Sequence, residues 1–249
     1  MSVLIAIPEP TGLDEEYNQR SVPQYLAALS AAGAAAIVIP LDTPQESVAR
    51  LLSGAQGILL PGSRYDLDPQ RYGEDPIPEC AEPDPARTAV DELLLQDAFN
   101  LLKPILGICG GAQTLNVWRN GSLIQDLNTP VNHQPGREVV DAHPVRITPG
   151  SRLARLIPKG DLDKLHVNSS HHQAIHAVGD NLLVSAVSVE DDVIEAVELD
   201  SANHFAIGVQ WHPERTYGRS ELSRAIFAAF VQAATDWQPR AIEESVARR

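Results

Sequence analysis

Two short stretches of this chain carry residue types that could do chemistry together. The first is Pro104-Ile105-Leu106-Gly107-Ile108-Cys109-Gly110-Gly111-Ala112-Gln113. It reads as a buried strand that stops at a small–x–Cys–x–small turn and reopens as a helix. A residue on such a strand-to-helix turn projects its side chain above the sheet, and glycines on either side keep neighbouring Cβ atoms from clashing. The helix that follows supplies a positive dipole end, which favours thiolate over thiol. A packed core thiol is the alternative, because free cysteine is among the most buried residue types. The second stretch, His212-Pro213-Glu214, ends an apolar run. A thiolate needs a base and the base needs an orienting group. At i, i+2 spacing in extended backbone both side chains share one face, with Pro213 stiffening the pair.

The elements around these stretches place them at one edge. Val3–Ile7, Ala36–Ile39, Gly57–Leu60, Ile105–Ile108 and Phe205–Trp211 read as strands. Helical patterns over Val22–Ala32, Pro44–Leu52, Thr88–Leu102 and Ala112–Arg119 fall between or after them, and Leu222–Ala233 closes the chain. This rhythm predicts an α/β fold: a doubly wound, mostly parallel sheet flanked by helices. Leu182–Val187 and Val193–Leu199 around Glu190-Asp191-Asp192 add an antiparallel hairpin. In such sheets ligands collect at the carboxyl ends of strands, where both stretches fall. Residues 122–150 look irregular. The Pro61–Pro85 segment is too long for a mere connector and is expected to be functional or flexible. A single domain over 1–237 with a charged, fraying tail at 238–249 is expected.

With 249 residues the chain can bury a full core without staples. The formal net charge of −14 excludes a nucleic-acid footprint and disfavours anionic membranes. No apolar run approaches the ~18 residues that span a bilayer, and the N-terminus lacks a basic, apolar signal segment. Cys80 and Cys109 are the only cysteines, which fits a reducing cytoplasm and no disulfide framework.

Four segments in order carry a resemblance. They are Leu60-Pro61-Gly62-Ser63 before Tyr72-Gly73-Glu74, the Cys109 elbow, Val167-Asn168-Ser169-Ser170-His171-His172-Gln173, and Gly208-Val209-Gln210-Trp211-His212-Pro213-Glu214. Together they resemble the class I glutamine amidotransferase superfamily, and within it the peptidase C26 branch of γ-glutamyl-γ-aminobutyrate hydrolases, over roughly residues 3–236. The resemblance implies a flavodoxin-like fold. It implies Cys109 as nucleophile, His212 as general base and acid, and Glu214 as the residue orienting it. The backbone N–H of Gly110 and that of Gly62 or Ser63 match the oxyanion hole. Gln113 matches a position that contacts the α-amino end of a glutamyl group, and Asn168, Ser169 and His171 match a segment lining the glutamyl pocket. Relatives often carry Arg directly after the nucleophile; here Gly110 stands there, which opens the question of which amine leaves.

The expected activity is hydrolysis of small γ-glutamyl amines such as γ-glutamyl-GABA through a glutamyl thioester, as in putrescine catabolism. No metal and no cofactor are expected, and the partner is a small molecule. Quaternary state stays open, a homodimer included. One alternative is a glutaminase subunit delivering ammonia to a separate synthase; another is a non-catalytic module that senses a glutamyl metabolite. His166, His171, His172 and His176 lack a zinc-motif spacing. His133 and His143 are expected at the surface, Cys80 reads as an unactivated thiol, and Asp66 and Asp68 as turn residues in a loop that lids the pocket.

Overall fold

In the computed structural model, residues 2–157 and 165–239 are described; of the expected tail, 240–249 lie outside them. The apolar runs form strands β1 (Val3–Pro8), β2 (Ala34–Ile39), β3 (Gly57–Leu60) and β4 (Ile105–Ile108). Between and after them run helices α1 (Glu15–Ala31), α2 (Gln45–Gly54), α3 (Pro85–Leu101) and α4 (Gly110–Trp118). Then come β5 (Leu123–Ile124), β6 (His143–Ile147), α5 (Arg152–Leu156), β7 (Leu165–Val167), β8 (Ala174–Ile175), β9 (Leu182–Ser188) and β10 (Ile194–Leu199). The chain closes with β11 (Ala206–Val209), α6 (Pro213–Thr216) and α7 (Glu221–Asp236).

The main path of the sheet runs β2-β1-β3-β4-β11-β10-β9-β6-β7. From β2 to β11 every pairing is parallel. From β11 through β10, β9, β6 and β7 every pairing is antiparallel, with β9 and β10 as the expected hairpin. The parallel strands are buried on both faces, so they read as continuous apolar runs rather than alternating ones. One face packs Tyr25, Leu29, Phe227 and Phe230 from α1 and α7; the other packs Val48, Leu52, Leu94 and Leu115 from α2, α3 and α4.

Several boundaries differ from the sequence reading, and two of the helix starts have a direct local cause. Helix α1 starts at Glu15 rather than Val22, because the Asp14 side chain caps the Tyr17 N–H, Glu15 and Glu16 favour the positive helix end, and Pro23 is accommodated inside. Helix α4 starts at Gly110, since Cys109 is itself the residue before the first turn. The 122–150 region is irregular apart from β5 and β6. The Pro61–Pro85 loop is well tied: it holds a 3₁₀ turn at Pro69–Tyr72 capped by Asp68, and Gln125 bonds Glu74, Asp75, Ile77 and Cys80.

Candidate active site

The parallel register aligns three strand ends. Leu60 of β3 faces Gly107 of β4, and Ile108 faces Val209 of β11. The chain therefore leaves β3 into Gly62-Ser63, β4 into Cys109 and β11 into His212 at one edge of the sheet. Cys109 adopts φ 51° and ψ −110°, outside the regions an L residue prefers, a strain of about 1–3 kcal/mol that the surroundings must hold. Two contacts hold it. The Cys109 N–H donates to Val209 O at 2.7 Å. Helix α4 lies so close to β3 that a Cβ at Gly111 would stand 2.1 Å from Leu60 O. Only glycine permits that approach.

His212 and Glu214 meet as expected, but by another route. Glu214 belongs to the helical turn α6, which Pro213 opens, rather than to extended backbone. The His212 Nδ1 still reaches Glu214 Oε1 at 2.8 Å with both side chains buried. A methyl group at Gly62 would stand 3.0 Å from His212 Cε1 and 3.3 Å from Cys109 Cβ. The imidazole and the thiol thus flank one point, and the glycine leaves it clear. The Gly62 N–H, one of the two expected oxyanion donors, donates to Tyr25 Oη at 3.0 Å. Ser63 N lies 3.2 Å from where a Gly110 Cβ would be, so these two expected donors are neighbours.

Burial dominates the electrostatics. It pushes the Cys109 thiol up to about 12, against the positive charge of Arg215 and the Gly110 N–H. Burial also lowers His212, although Glu214 pulls the other way. Both shifts run against the thiolate that the helix end favours. Glu214 is held below its ordinary value: burial would raise it, and His212 and Arg215 outweigh that. Arg215, missed by sequence reasoning, sits 3.5 Å from Glu214 Oε1.

A cleft opens over Cys109, lined by Ser63, Asp66, Gly110, Gln113, His171 and His172 among others. Gln113 donates its Nε2 to Gln173 O and Gln210 Oε1, both at 3.1 Å, which turns its carbonyl oxygen away from those partners. Asn168 does something other than line the pocket. Its Nδ2 donates to His212 O and its Oδ1 accepts from His212 N, both at 2.8 Å. This two-bond clamp fixes the His212 backbone. The Ser169 hydroxyl is likewise turned away, onto His133 O at 2.7 Å. His172 lies between Asp66 and Asp126, bonded to both, and the Asp66 hydrogen bond leads in raising it to about 9. It ties the 61–85 loop to the 125–142 segment as a cation. Asp66 also caps Ala81 N, so it is a loop residue as read. Cys80 bonds Gln125 and is raised by burial.

The histidines rearrange most. His166 and His176 are exposed. His133 and His143, expected at the surface, are 4% and 3% exposed. They pack with His171 around fully buried Glu195 of β10. The reason is tertiary: the irregular 125–142 segment folds back over β10, and no periodicity in it announced an inward face.

A family model described as Peptidase C26 matches residues 6–214. A protein of Mycobacterium tuberculosis, provisionally named a glutamine amidotransferase, is 40% identical over 220 residues, 87% of this chain and 68% of its own length. The γ-glutamyl-γ-aminobutyrate hydrolase PuuD of Escherichia coli is 34% identical over 221 residues, 84% of each chain. Among solved structures, the glutaminase domain of Trypanosoma brucei CTPS with bound acivicin shares the fold, with a TM-score of 0.57 and 19% identity, covering 97% of this chain and 98% of that one. A Thermoplasma acidophilum protein described provisionally as a GMP synthase subunit does so with a TM-score of 0.65 and 17% identity, over 94% and 95%.

Proposed function

Because this chain belongs to the Peptidase C26 family, we propose that it is a cysteine hydrolase that cuts the γ-glutamyl amide bond of a small γ-glutamyl amine. The observation that carries this is the convergence of three strand ends: a strained Cys109, the His212–Glu214 pair and the Ser63 and Gly110 N–H groups at one sheet edge. The E. coli relative's name makes γ-glutamyl-GABA the first substrate to try.

The His212 Nδ1–H donates to Glu214, which leaves Nε2 as the acceptor. As the Cys109 sulfur attacks the γ-carbonyl carbon, its proton passes to that nitrogen. The oxyanion accepts hydrogen bonds from Ser63 and Gly110; one such donor is worth about 10²–10³ in rate. The C–N bond breaks, the amine leaves with the proton from His212, and a thioester remains. Water then attacks the thioester carbon and gives its proton to His212. The C–S bond breaks, the sulfur recovers that proton, and glutamate departs. The Gln113 carbonyl oxygen accepts from the substrate α-ammonium, and Asn168 acts through His212. The reaction fits the breakdown of γ-glutamylated polyamine products in a reducing cytoplasm, with the protein needing no nucleic acid or membrane.

The name of the M. tuberculosis relative favours a second reading, in which glutamine is the substrate and ammonia passes to a synthase. Incubation of wild type and Cys109→Ala with γ-glutamyl-GABA, other γ-glutamyl amines and glutamine, read by mass spectrometry, separates the two. Glutamate and free amine from a γ-glutamyl amine, in wild type alone, is the expected result. Cleavage of glutamine alone moves the chain to the second reading. Cleavage by neither protein, with biological function surviving in Cys109→Ala, leaves a sensing module.

A further inference from the structure

The buried histidines around Glu195 are arranged as a ligand set. His133 Nδ1, His143 Nε2 and His171 Nε2 lie 3.3, 3.5 and 3.5 Å from the same Glu195 Oε1. These separations exceed the usual N–H···O hydrogen bond of about 2.7–3.2 Å. They equal the edge of a tetrahedron around a metal: bonds of about 2.0–2.1 Å give ligand-to-ligand edges of about 3.3–3.5 Å. All four ligand atoms lie within 4.8 Å of one another. Every one of the four side chains is at most 2% exposed.

Hydrogen bonds behind two of the three histidines fix which of their nitrogens points inward, while both ring nitrogens of His143 are unpartnered. His171 Nδ1 lies 2.9 Å from Gln173 O, a carbonyl that can only accept, so Nδ1 carries a hydrogen. His133 Nε2 lies 3.0 Å from Asp191 Oδ2 and is held the same way; Thr129 Oγ1 bonds the same carboxylate oxygen. In the neutral rings the lone pairs of His133 Nδ1 and His171 Nε2 then face Glu195. Lone pairs aimed at a carboxylate repel unless a positive charge, a second ring proton or a metal ion, lies between them. A carboxylate or a backbone carbonyl behind each ligating histidine is the usual outer support of a metal site. Both Glu195 oxygens, His133 Nδ1, His143 Nε2 and His171 Nε2 are buried without a hydrogen-bond partner, which a native interior rarely tolerates unless something further binds.

We propose that His133, His143, His171 and Glu195 bind one divalent zinc-class ion in a closed, structural site. Three imidazoles and one carboxylate suit zinc, and four protein ligands with no exposed position leave no place for substrate. The ligands come from four separate segments: the loop before β6, the first residue of β6, the loop after β7, and β10. The ion would therefore staple the 125–142 segment and the His171 loop onto the antiparallel half. Gln134, Ser170 and His171 line the cleft over Cys109, so the same staple shapes one wall of that cleft.

The test uses the full chain, stripped with chelator and titrated with zinc, with thermal unfolding recorded at each step. One ion per chain and a rise in the unfolding midpoint are expected. Cobalt in place of zinc should give the visible absorption of a four-coordinate site. His143→Gln and Glu195→Gln should each weaken zinc binding by about 10–100-fold or more, while His172→Gln leaves the stoichiometry unchanged. If either cluster variant fails to fold, the wild-type stoichiometry, midpoint shift and cobalt spectrum decide by themselves. A stripped wild type that binds no zinc, or whose zinc is lost in His172→Gln and kept in His143→Gln, overturns the assignment.

Discussion

The parallel and antiparallel halves of this sheet each gather reactive side chains, by different means. In the parallel half, adjacent strands β3, β4 and β11 end in step, and the residues just beyond them meet because register demands it. Cys109, Gly62, Ser63 and His212 are all within three residues of a strand end. In the antiparallel half, β6 and β10 contribute one residue each, and two loops fold over to supply His133 and His171. The first site is a property of topology and the second a property of loop packing. The first leaves a cleft above Cys109, while the second closes completely.

Cys109→Ala should separate the halves most sharply. Removing the proposed nucleophile is expected to lower turnover at least about 10⁴-fold while leaving the unfolding midpoint nearly unchanged. Enzyme assay and calorimetry on one preparation would show it; a residual rate near wild type would remove Cys109 from the reaction. Gly111→Ala acts on the frame instead. The new Cβ meets Leu60 O at 2.1 Å, so strand or helix must shift, at about 2–4 kcal/mol. Denaturant unfolding would register that, together with loss of activity.

Asn168→Ala removes both hydrogen bonds to the His212 backbone. A fall of about 10–100-fold in kcat with KM little changed is expected. A rise in KM alone would return Asn168 to the substrate pocket. The pH dependence follows from burial. Cys109 is pushed up to about 12 and His212 is lowered, which predicts a protonated thiol and a neutral imidazole at pH 7. Alkylation of Cys109 by iodoacetamide should climb steadily through pH 9 without a plateau below 7. Turnover should fall only as pH drops below the ordinary histidine value of about 6.5. An alkylation plateau near pH 5 would mean a resting thiolate–imidazolium pair.

The smallest effect is at the tie between the two loops. His172 titrates at about 9 in the folded chain, above its unfolded value. Its contribution is therefore full below about pH 6.5 and lost as pH rises through 9. His172→Gln should cost roughly 1–2 kcal/mol at pH 6 after solvent screening and almost nothing at pH 10. Equal losses at both pH values would assign the effect to packing.

Local sequence determined much of the first half. Continuous apolar strands, a glycine on either side of Cys109 and a proline after His212 are short-range signals, and each restricts the backbone within a few residues. They made the parallel sheet, the elbow and the His212–Glu214 pair legible. Only the tertiary structure decided the rest. It routed Glu214 through a helical turn, engaged Gly62 N with Tyr25, and turned Asn168 onto the His212 backbone. It also drew His133 and His143 inward around Glu195, 52 residues beyond His143 in sequence. Contacts of that span depend on how loops lie across a finished sheet. Strand register and side-chain burial fix them, and no window of neighbouring residues encodes either.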